Sequence, residues 1–354
     1  MRTIFHLITT INRGGAENQL LVLASEQIKS GFDVHVAYLK GEPELKADFE
    51  LSGITVHDDL ATTAVIFQPL RFRKLLNKRN VIVHAHLPRA ELVAFSTLAK
   101  FKFFASRHNA EPFFPGAPKN LSNLLSKMVE IRSIKIIAIS NAVKDFLLAR
   151  GEIARRVKVD VVHYGYNRRF TGVLSQENID RTNINWGTIS RLTDQKDIPT
   201  MLRAFSKFRE VAPGSTLSIL GAGPLEVELK ALTKSIKLDQ SVQFLGRSSR
   251  IYDFLAGLDV FILTSKYEGF GMVLLEAMDA GIPIVASGNS AIPEVLGNNF
   301  PGLCTTGDSN DFYQKIIDLS NTAYRKRILE LQKIQLNIFR ADLMNQKISE
   351  IYEL

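Results

Sequence analysis

The stretch Ser265-Lys266-Tyr267-Glu268-Gly269-Phe270-Gly271-Met272-Val273-Leu274-Leu275-Glu276-Ala277-Met278 decides how the chain reads. An apolar run at 260–264 precedes it and reads as a buried strand; a helix over 271–280 follows. Gly269 and Gly271 let the backbone turn and approach a ligand. The first amides of the helix have no partner within the helix and form a seat for phosphate. Val273, Leu274, Ala277 and Met278 read as the core face. Glu276 stands among them, where a carboxylate needs partners, and the vicinal hydroxyls of a ribose would satisfy both its oxygens. Glu268, just before the helix, is placed for the hydroxyls of a sugar.

Working outward, the same strand–loop–helix unit recurs. A strand at 186–190 leads into Arg191-Leu192-Thr193-Asp194-Gln195-Lys196-Asp197 and then a helix at 198–210. Two cations five apart in one such loop can converge on one anion, Arg as a fork and Lys as a point charge, a pair suited to a diphosphate. Further strands at 216–220, 242–245, 284–287 and 302–305, and helices at 225–236, 249–255 and 311–319, complete the second half. The first half predicts strands at 3–9, 33–39, 54–57, 81–86, 102–106, 135–140 and 157–162, with helices at 16–28, 89–100 and 141–150. Strands alternating with helices mean parallel sheets covered on both faces, so the chain reads as α/β, two Rossmann-like domains. The expected division is 1–165 and 166–354, with a polar, aperiodic linker in 167–183 and a helical tail from 324.

Ligands of open parallel sheets gather beyond the carboxyl ends of the strands, so the strand ends hold the remaining candidates. Gly14 and Gly15 follow the first strand and open a helix. His84 and His86 share one face of the fourth; no third ligand is evident nearby, so they read as polar residues at the cleft edge rather than as a metal site. His108 follows the fifth strand, where it can donate to a ligand hydroxyl or take part in proton transfer.

The chain has 354 residues and a formal net charge of +8. Residues 1–165 hold 23 Lys and Arg against 15 Asp and Glu, and 166–354 are balanced, so the whole excess lies in the first half. Leu70–Arg79 and Lys100–Phe104 mix cations with apolar residues, and Phe113 and Phe114 sit in a Pro- and Gly-rich loop where burial is difficult. Cations beside exposed rings fit an anionic bilayer surface. The apolar runs are far too short to span a membrane. One cysteine, Cys304, excludes an internal disulfide and a thiolate zinc cluster, and the opening residues read as a strand and not as a signal peptide. The expected location is cytoplasmic.

At these motifs the chain resembles the retaining glycosyltransferases of family 4, which have the GT-B fold. Glu268 and Glu276 match that family's pair of glutamates with seven residues between. Gly281-Ile282-Pro283-Ile284-Val285-Ala286, Ile292-Pro293-Glu294-Val295, Gly187…Ser190-Arg191-Leu192…Lys196-Asp197, Gly221-Ala222-Gly223-Pro224 and Gly14-Gly15-Ala16-Glu17 match in order and spacing. The resemblance implies two domains facing a central cleft, with a last helix, about 339–354, crossing back onto the first. It implies that Arg191 and Lys196 hold a donor diphosphate, that Glu276 binds the ribose, and that Glu268, with amides around Phe270 and Gly271, positions the sugar. Gly15 would line the phosphate side and His108 would sit beside the sugar. Gly14, Gly221, Gly223, Arg247, Met272 and Val273 join the nucleotide-sugar-binding set. No metal or cofactor is implied, in keeping with the lack of an Asp-x-Asp sequence. Tyr164-Gly165-Tyr166-Asn167 departs from the usual Asn-Gly turn at the junction.

The expected activity is therefore transfer of a sugar from a nucleotide-diphosphate sugar, a UDP-sugar, to a glycan acceptor, lipid-linked, in polysaccharide or glycolipid synthesis at the inner face of the membrane. A sugar-nucleotide epimerase of the same architecture is the enzymatic alternative. A nucleic-acid-binding protein would account for the basic charge, but no recognition helix or stacking signature supports it.

Overall fold

The helices begin where the sequence offers a start. Pro stands in the first turn of four of them, and Ser140 and Asp308 accept hydrogen bonds from the amides of the turns they cap. Between these starts lie runs of Val, Ile, Leu and Phe buried on both faces, as strands covered by helices on either side require. The computed structural model describes residues 2–76, 81–155, 158–170 and 183–353. It divides into two compact units, Met1–Asn167 with Phe339–Leu354, and Arg168–Ile338.

The first unit runs β1 (Thr3–Ile8), α1 (Gly15–Lys29), β2 (Asp33–Tyr38), α2 (Lys46–Leu51), β3 (Thr55–His57), α3 (Gln68–Leu75), β4 (Val81–His86), α4 (Pro88–Ser96), β5 (Lys102–Arg107), α5 (Lys119–Arg132), β6 (Lys135–Ala138), α6 (Asn141–Ala149) and β7 (Val159–Val161). The strands form one parallel sheet in the order β3-β2-β1-β4-β5-β6-β7. The second unit runs β8 (Asn185–Ile189), α7 (Ile198–Val211), β9 (Thr216–Leu220), α8 (Glu226–Ser235), β10 (Val242–Gly246), α9 (Ile251–Ala256), β11 (Val260–Leu263), α10 (Met272–Asp279), β12 (Ile284–Ser287), α11 (Ile292–Leu296), β13 (Leu303–Cys304), α12 (Ser309–Asp318) and α13 (Thr322–Ile338). Its parallel sheet has the order β10-β9-β8-β11-β12-β13.

The last helix, α14 (Ala341–Tyr352), belongs to the first unit. Ala341, Met344, Ile348, Ile351 and Tyr352 pack with Val22 and Leu23 of α1 over Ile4, Ile82 and Phe104 of the sheet. Gly165 allows this approach, because a Cβ there would lie 2.6 Å from the Ala341 backbone.

Three expectations are corrected. Phe113 is buried beneath the Arg107 guanidinium, 4.3 Å from the ring centroid, and Phe103 and Phe104 are buried in β5, so these rings are not a bilayer-facing surface. α5 was not expected: it buries Ser122, Ser126, Val129 and Glu130 and exposes Leu121, Leu124 and Ile131, the inverse of the usual stripe. On α10 the core face is Leu274, Leu275, Ala277 and Met278, while Val273 is only partly covered. Residues 77–80 of the basic stretch, 157 of the seventh strand and 171–182 of the linker lie outside the described residues.

Candidate functional site

In the second sheet the strand order reverses between β8 and β11, its neighbours in space. The loops after these two strands therefore lie side by side at the carboxyl edge, the position where open parallel sheets bind ligands. Arg191 to Asp197 leave β8, and Thr264 to Gly271 leave β11. They are stitched together: Thr264 Oγ1 donates to the Lys196 carbonyl at 2.9 Å, the Lys266 amide to the Gln195 carbonyl at 2.8 Å, and Gln195 Nε2 to the Tyr267 carbonyl at 2.9 Å.

Across this seam Lys196 Nζ meets Glu268 Oε1 at 2.5 Å, with both side chains largely buried. Ser265 Oγ donates to the same carboxylate oxygen at 2.7 Å. The Glu268 backbone is pinned by Ser290, whose Oγ accepts from its amide at 3.1 Å and donates to its carbonyl at 2.6 Å. Arg191 is exposed, and its Nη2 donates to Gln195 Oε1 at 3.3 Å. The structure thus joins Lys196 to Glu268 directly and Arg191 to the same loop through Gln195. Ser265, Ser290 and Gln195 were missed by sequence reasoning; a lone Ser or Gln in a loop carries no signal until its partner is known.

Gly271, at φ +91°, caps α10 in the left-handed region that glycine adopts at least cost, and Phe270 beside it is buried. Met272, Val273 and Glu276 lie on the partly covered side of α10. Desolvation pushes the Glu276 carboxyl up to about 7, against the pull of Arg169. Gly221 and Gly223 serve the Arg191 loop from behind. Cβ atoms there would lie 1.9 Å from the Ser190 oxygen and 2.4 Å from the Leu192 oxygen, so only glycines let the strands' exits pass this closely. Arg247 is exposed just beyond β10.

The first unit places its candidates at the ends of β1, β4 and β5. Gly14 caps α1, and Gly15 has open space where a Cβ would stand. Glu17 lies in the first turn and accepts from Thr10 Oγ1 at 2.7 Å. His84 and His86 are not at an edge. They are buried, and His6 from β1 supplies the third imidazole that the local sequence lacked; ring nitrogens of the three lie within 4.8 Å. His108 is buried too, and both of its nitrogens are engaged, Nε2 with His86 Nδ1 at 3.1 Å and Nδ1 with the Tyr164 hydroxyl at 2.6 Å. Both partners lie within the first unit. His108 lines a cavity of about 90 Å³ with Asn109, Glu111, Pro112 and Phe113.

Two Rossmann-like units of this kind define the GT-B class of glycosyltransferases, and solved members share the fold. Anabaena Alr3699/HepE, crystallised with UDP and glucose, matches with a TM-score of 0.80 at 19% identity over 99% of both chains. A glycosyltransferase from Rickettsia africae matches at 0.78 and 21% identity, over 99% of this chain and 98% of that one. Two family models cover most of the sequence, "Glycosyltransferase Family 4" over residues 13–170 and "Glycosyl transferases group 1" over 174–331. The chain belongs to glycosyltransferase family 4. Among curated relatives, the N-acetyl-alpha-D-glucosaminyl L-malate synthase of Bacillus anthracis is 26% identical over 62% of this chain; the match spans 58% of that protein. The capsular polysaccharide biosynthesis glycosyltransferase CapH of Staphylococcus aureus is 22% identical over 99% of both.

Proposed function

We propose that this protein transfers a sugar, with retention of configuration, from a UDP-sugar to a glycan acceptor carried on lipid, in the synthesis of a cell-surface polysaccharide. The observation that carries the reading is the Lys196–Glu268 pair at the switch point of the second sheet, set directly before the N-terminus of α10. Breaking a sugar–phosphate bond leaves an electron-poor sugar carbon and a departing diphosphate. Arg191 and Lys196 stabilise the diphosphate as its charge develops, and the α10 amides at Met272 and Val273 add fixed dipoles. Before the donor arrives, Glu268 neutralises Lys196 and keeps it in place. When the diphosphate takes the ammonium, Glu268 is released to accept from sugar hydroxyls. Glu276 takes the ribose hydroxyls. In the first unit, Gly15 leaves room for a phosphate oxygen at the α1 N-terminus. With two fixed cations on the diphosphate, no divalent ion is called for.

The relatives support the choice of substrates. HepE was solved with UDP and with UDP-glucose, and CapH is named for capsular polysaccharide synthesis. The first unit supports the lipid surface through residues at the start of the 70–79 stretch, those just before it and α5, and not through Phe103, Phe104 and Phe113. Val65, Ile66, Phe67 and Leu70 are exposed beside Arg71, and α5 turns Leu121, Leu124 and Ile131 outward near Lys119 and Lys127. No helix among the described residues is long and apolar enough to cross a membrane. Peripheral attachment through these faces, at the cytoplasmic leaflet, fits this surface.

A thermal-shift panel of UDP-, GDP- and ADP-sugars tests the reading. A UDP-sugar at 100 times its dissociation constant adds about 2.7 kcal/mol of stability. Failure of every member to raise the melting temperature of folded protein would overturn it.

A further inference from the structure

Loops ordinarily leave their backbone groups to water, but the segment 266–268 does not. In the second sheet β11 lies between β8 and β12, so the loop after β11 runs between the loops that follow those two strands. All three carbonyls of the segment accept from side chains of its neighbours. Asn289 Nδ2 donates to the Lys266 oxygen at 2.5 Å, Gln195 Nε2 to the Tyr267 oxygen at 2.9 Å, and Ser290 Oγ to the Glu268 oxygen at 2.6 Å. The residues that reach in come from both sides, Gln195 from the loop after β8 and Asn289 and Ser290 from the loop after β12.

Ser290 makes two contacts to one residue. The Glu268 amide donates to its Oγ at 3.1 Å, and the same hydroxyl donates to the Glu268 carbonyl. One side chain thus takes both backbone groups of Glu268, the exchange that a facing residue provides in an antiparallel pair of strands. With its amide and carbonyl fixed, Glu268 has the direction of its Cα–Cβ bond fixed as well. Ser265 Oγ and Lys196 Nζ, both on Oε1, then need only set the carboxylate.

The backbone of Ser290 is not one that serine adopts freely. Its φ is +55°, in the left-handed region where a Cβ crowds the following carbonyl oxygen. Gly246, Gly271, Gly281, Gly297 and Gly307 fill that region elsewhere in the second unit. A glycine at 290 would relieve the crowding and lose the hydroxyl. Asp197, at φ +44°, directly follows Lys196, so two of the four non-glycine residues with positive φ among the described residues stand beside the Lys196–Glu268 pair. Strain of this kind persists only where the surroundings impose it, and it gathers at functional sites.

We infer that Ser290 is a positioning residue that fixes Glu268 for the sugar of the donor, its hydroxyl kept at the cost of a left-handed backbone, with Asn289 and Gln195 steadying the same segment. The inference rests on the proposed sugar transfer and deepens it by separating the sugar from the nucleotide. In that proposal Glu268 accepts from sugar hydroxyls, whereas Arg191, Lys196 and Glu276 hold the diphosphate and the ribose. Once the diphosphate draws Lys196 away, the Glu268 carboxylate loses its cation. The clasp on its backbone and the Ser265 hydroxyl then keep it in place. Without the clasp the sugar hydroxyls lose a fixed partner and the reacting carbon is misplaced, while UDP itself binds as before.

The test compares Ser290→Gly with Ser290→Ala in the full-length protein. Both remove the hydroxyl, and only glycine relieves the backbone, so the glycine variant should melt at the higher temperature. Both should nevertheless lose roughly tenfold to a hundredfold in kcat/KM with the donor found in the thermal-shift panel. Calorimetric titration should find UDP affinity unchanged in each, while the advantage of the UDP-sugar over UDP shrinks. Hydrogen exchange followed by NMR should show the Glu268 amide protected in the native protein and released in both variants. A Ser290→Gly enzyme with native kcat/KM would overturn the inference. So would UDP affinity that falls as far as UDP-sugar affinity, a glycine variant less stable than the alanine one, or a Glu268 amide that exchanges freely in the native protein. Native protein that turns over no donor counts against the transferase reading alone; amide exchange and the stability order of the two variants still decide whether Ser290 holds Glu268.

Discussion

Lys196 and Glu268 are 72 positions apart in the chain and 2.5 Å apart in space, and their environments separate catalysis from stability. Arg191 is exposed. Arg191→Ala should cost about 3–4 kcal/mol at the transition state, roughly 10²–10³ in kcat/KM, while folding stability stays within about 0.5 kcal/mol. Lys196→Ala should lose a similar rate and also lower the melting temperature, because it strands a buried carboxylate, at a cost of about 3 kcal/mol. Denaturant titration beside steady-state kinetics checks both; a Lys196→Ala protein as stable as the native one would mean the pair holds nothing. Glu276 makes a prediction in pH. Its carboxyl sits at about 7 when folded against an ordinary 4.5, so between these values the folded state holds a proton that the unfolded state has released. Stability therefore falls as pH rises across that window, and Glu276→Gln should abolish the slope. A ribose needs the ionised form, so nucleotide binding should tighten from pH 6 to 8, by up to about tenfold. Calorimetric titration at pH 6, 7 and 8 reads this, and a flat native affinity would remove Glu276 from the ribose.

Among elements, the glycines divide by what their missing Cβ would meet. Gly221, at φ +144°, would place one 1.9 Å from the Ser190 oxygen. Gly221→Ala should cost roughly 2–4 kcal/mol and disorder the Arg191 loop, lowering stability and activity together. Gly15, the first residue of α1, has nothing within 4 Å. Gly15→Ala should leave stability unchanged or raise it by up to about 1 kcal/mol, yet weaken donor binding if a phosphate oxygen uses that space. Melting curves with and without UDP-sugar tell the two apart; equal donor affinity in Gly15→Ala and native protein would free α1 from the phosphate. Strands were legible to within a residue or two because Val-, Ile- and Phe-rich runs bounded by Gly, Ser and Pro leave little choice. α5 was not, for a physical reason: hydrophobic periodicity locates helices that bury apolar faces, and this one buries Ser122, Ser126 and Glu130 and exposes Leu121, Leu124 and Ile131. The same rule misassigned Val273 on α10, since a patterned helix shows an apolar stripe but not where its edge meets the core.

At the scale of the molecule, the first half's excess of cations finds apolar company on α3 and α5 rather than on the rings at 101–104 and 113, which lie in or near the core. Flotation with vesicles should recover the protein with anionic lipid and less with neutral lipid, and Leu121→Ser with Leu124→Ser should reduce recovery without lowering the melting temperature. Equal recovery from both vesicle types would defeat the bilayer assignment. Strand–helix alternation, glycine-marked turns and the charged loops after the strands are local properties, written in consecutive residues, and from them the sequence by itself determined two parallel α/β units, the loops that hold Arg191, Lys196 and Glu268, and the helix that carries Glu276. Only the tertiary structure decided which side chains meet. It set Ser265 and Lys196 on one carboxylate, returned α14 to the first sheet, and joined His6, His86 and His108 into one buried row. Register between strands distant in sequence makes those neighbours, and hydrogen-bond direction and desolvation act only once they have met.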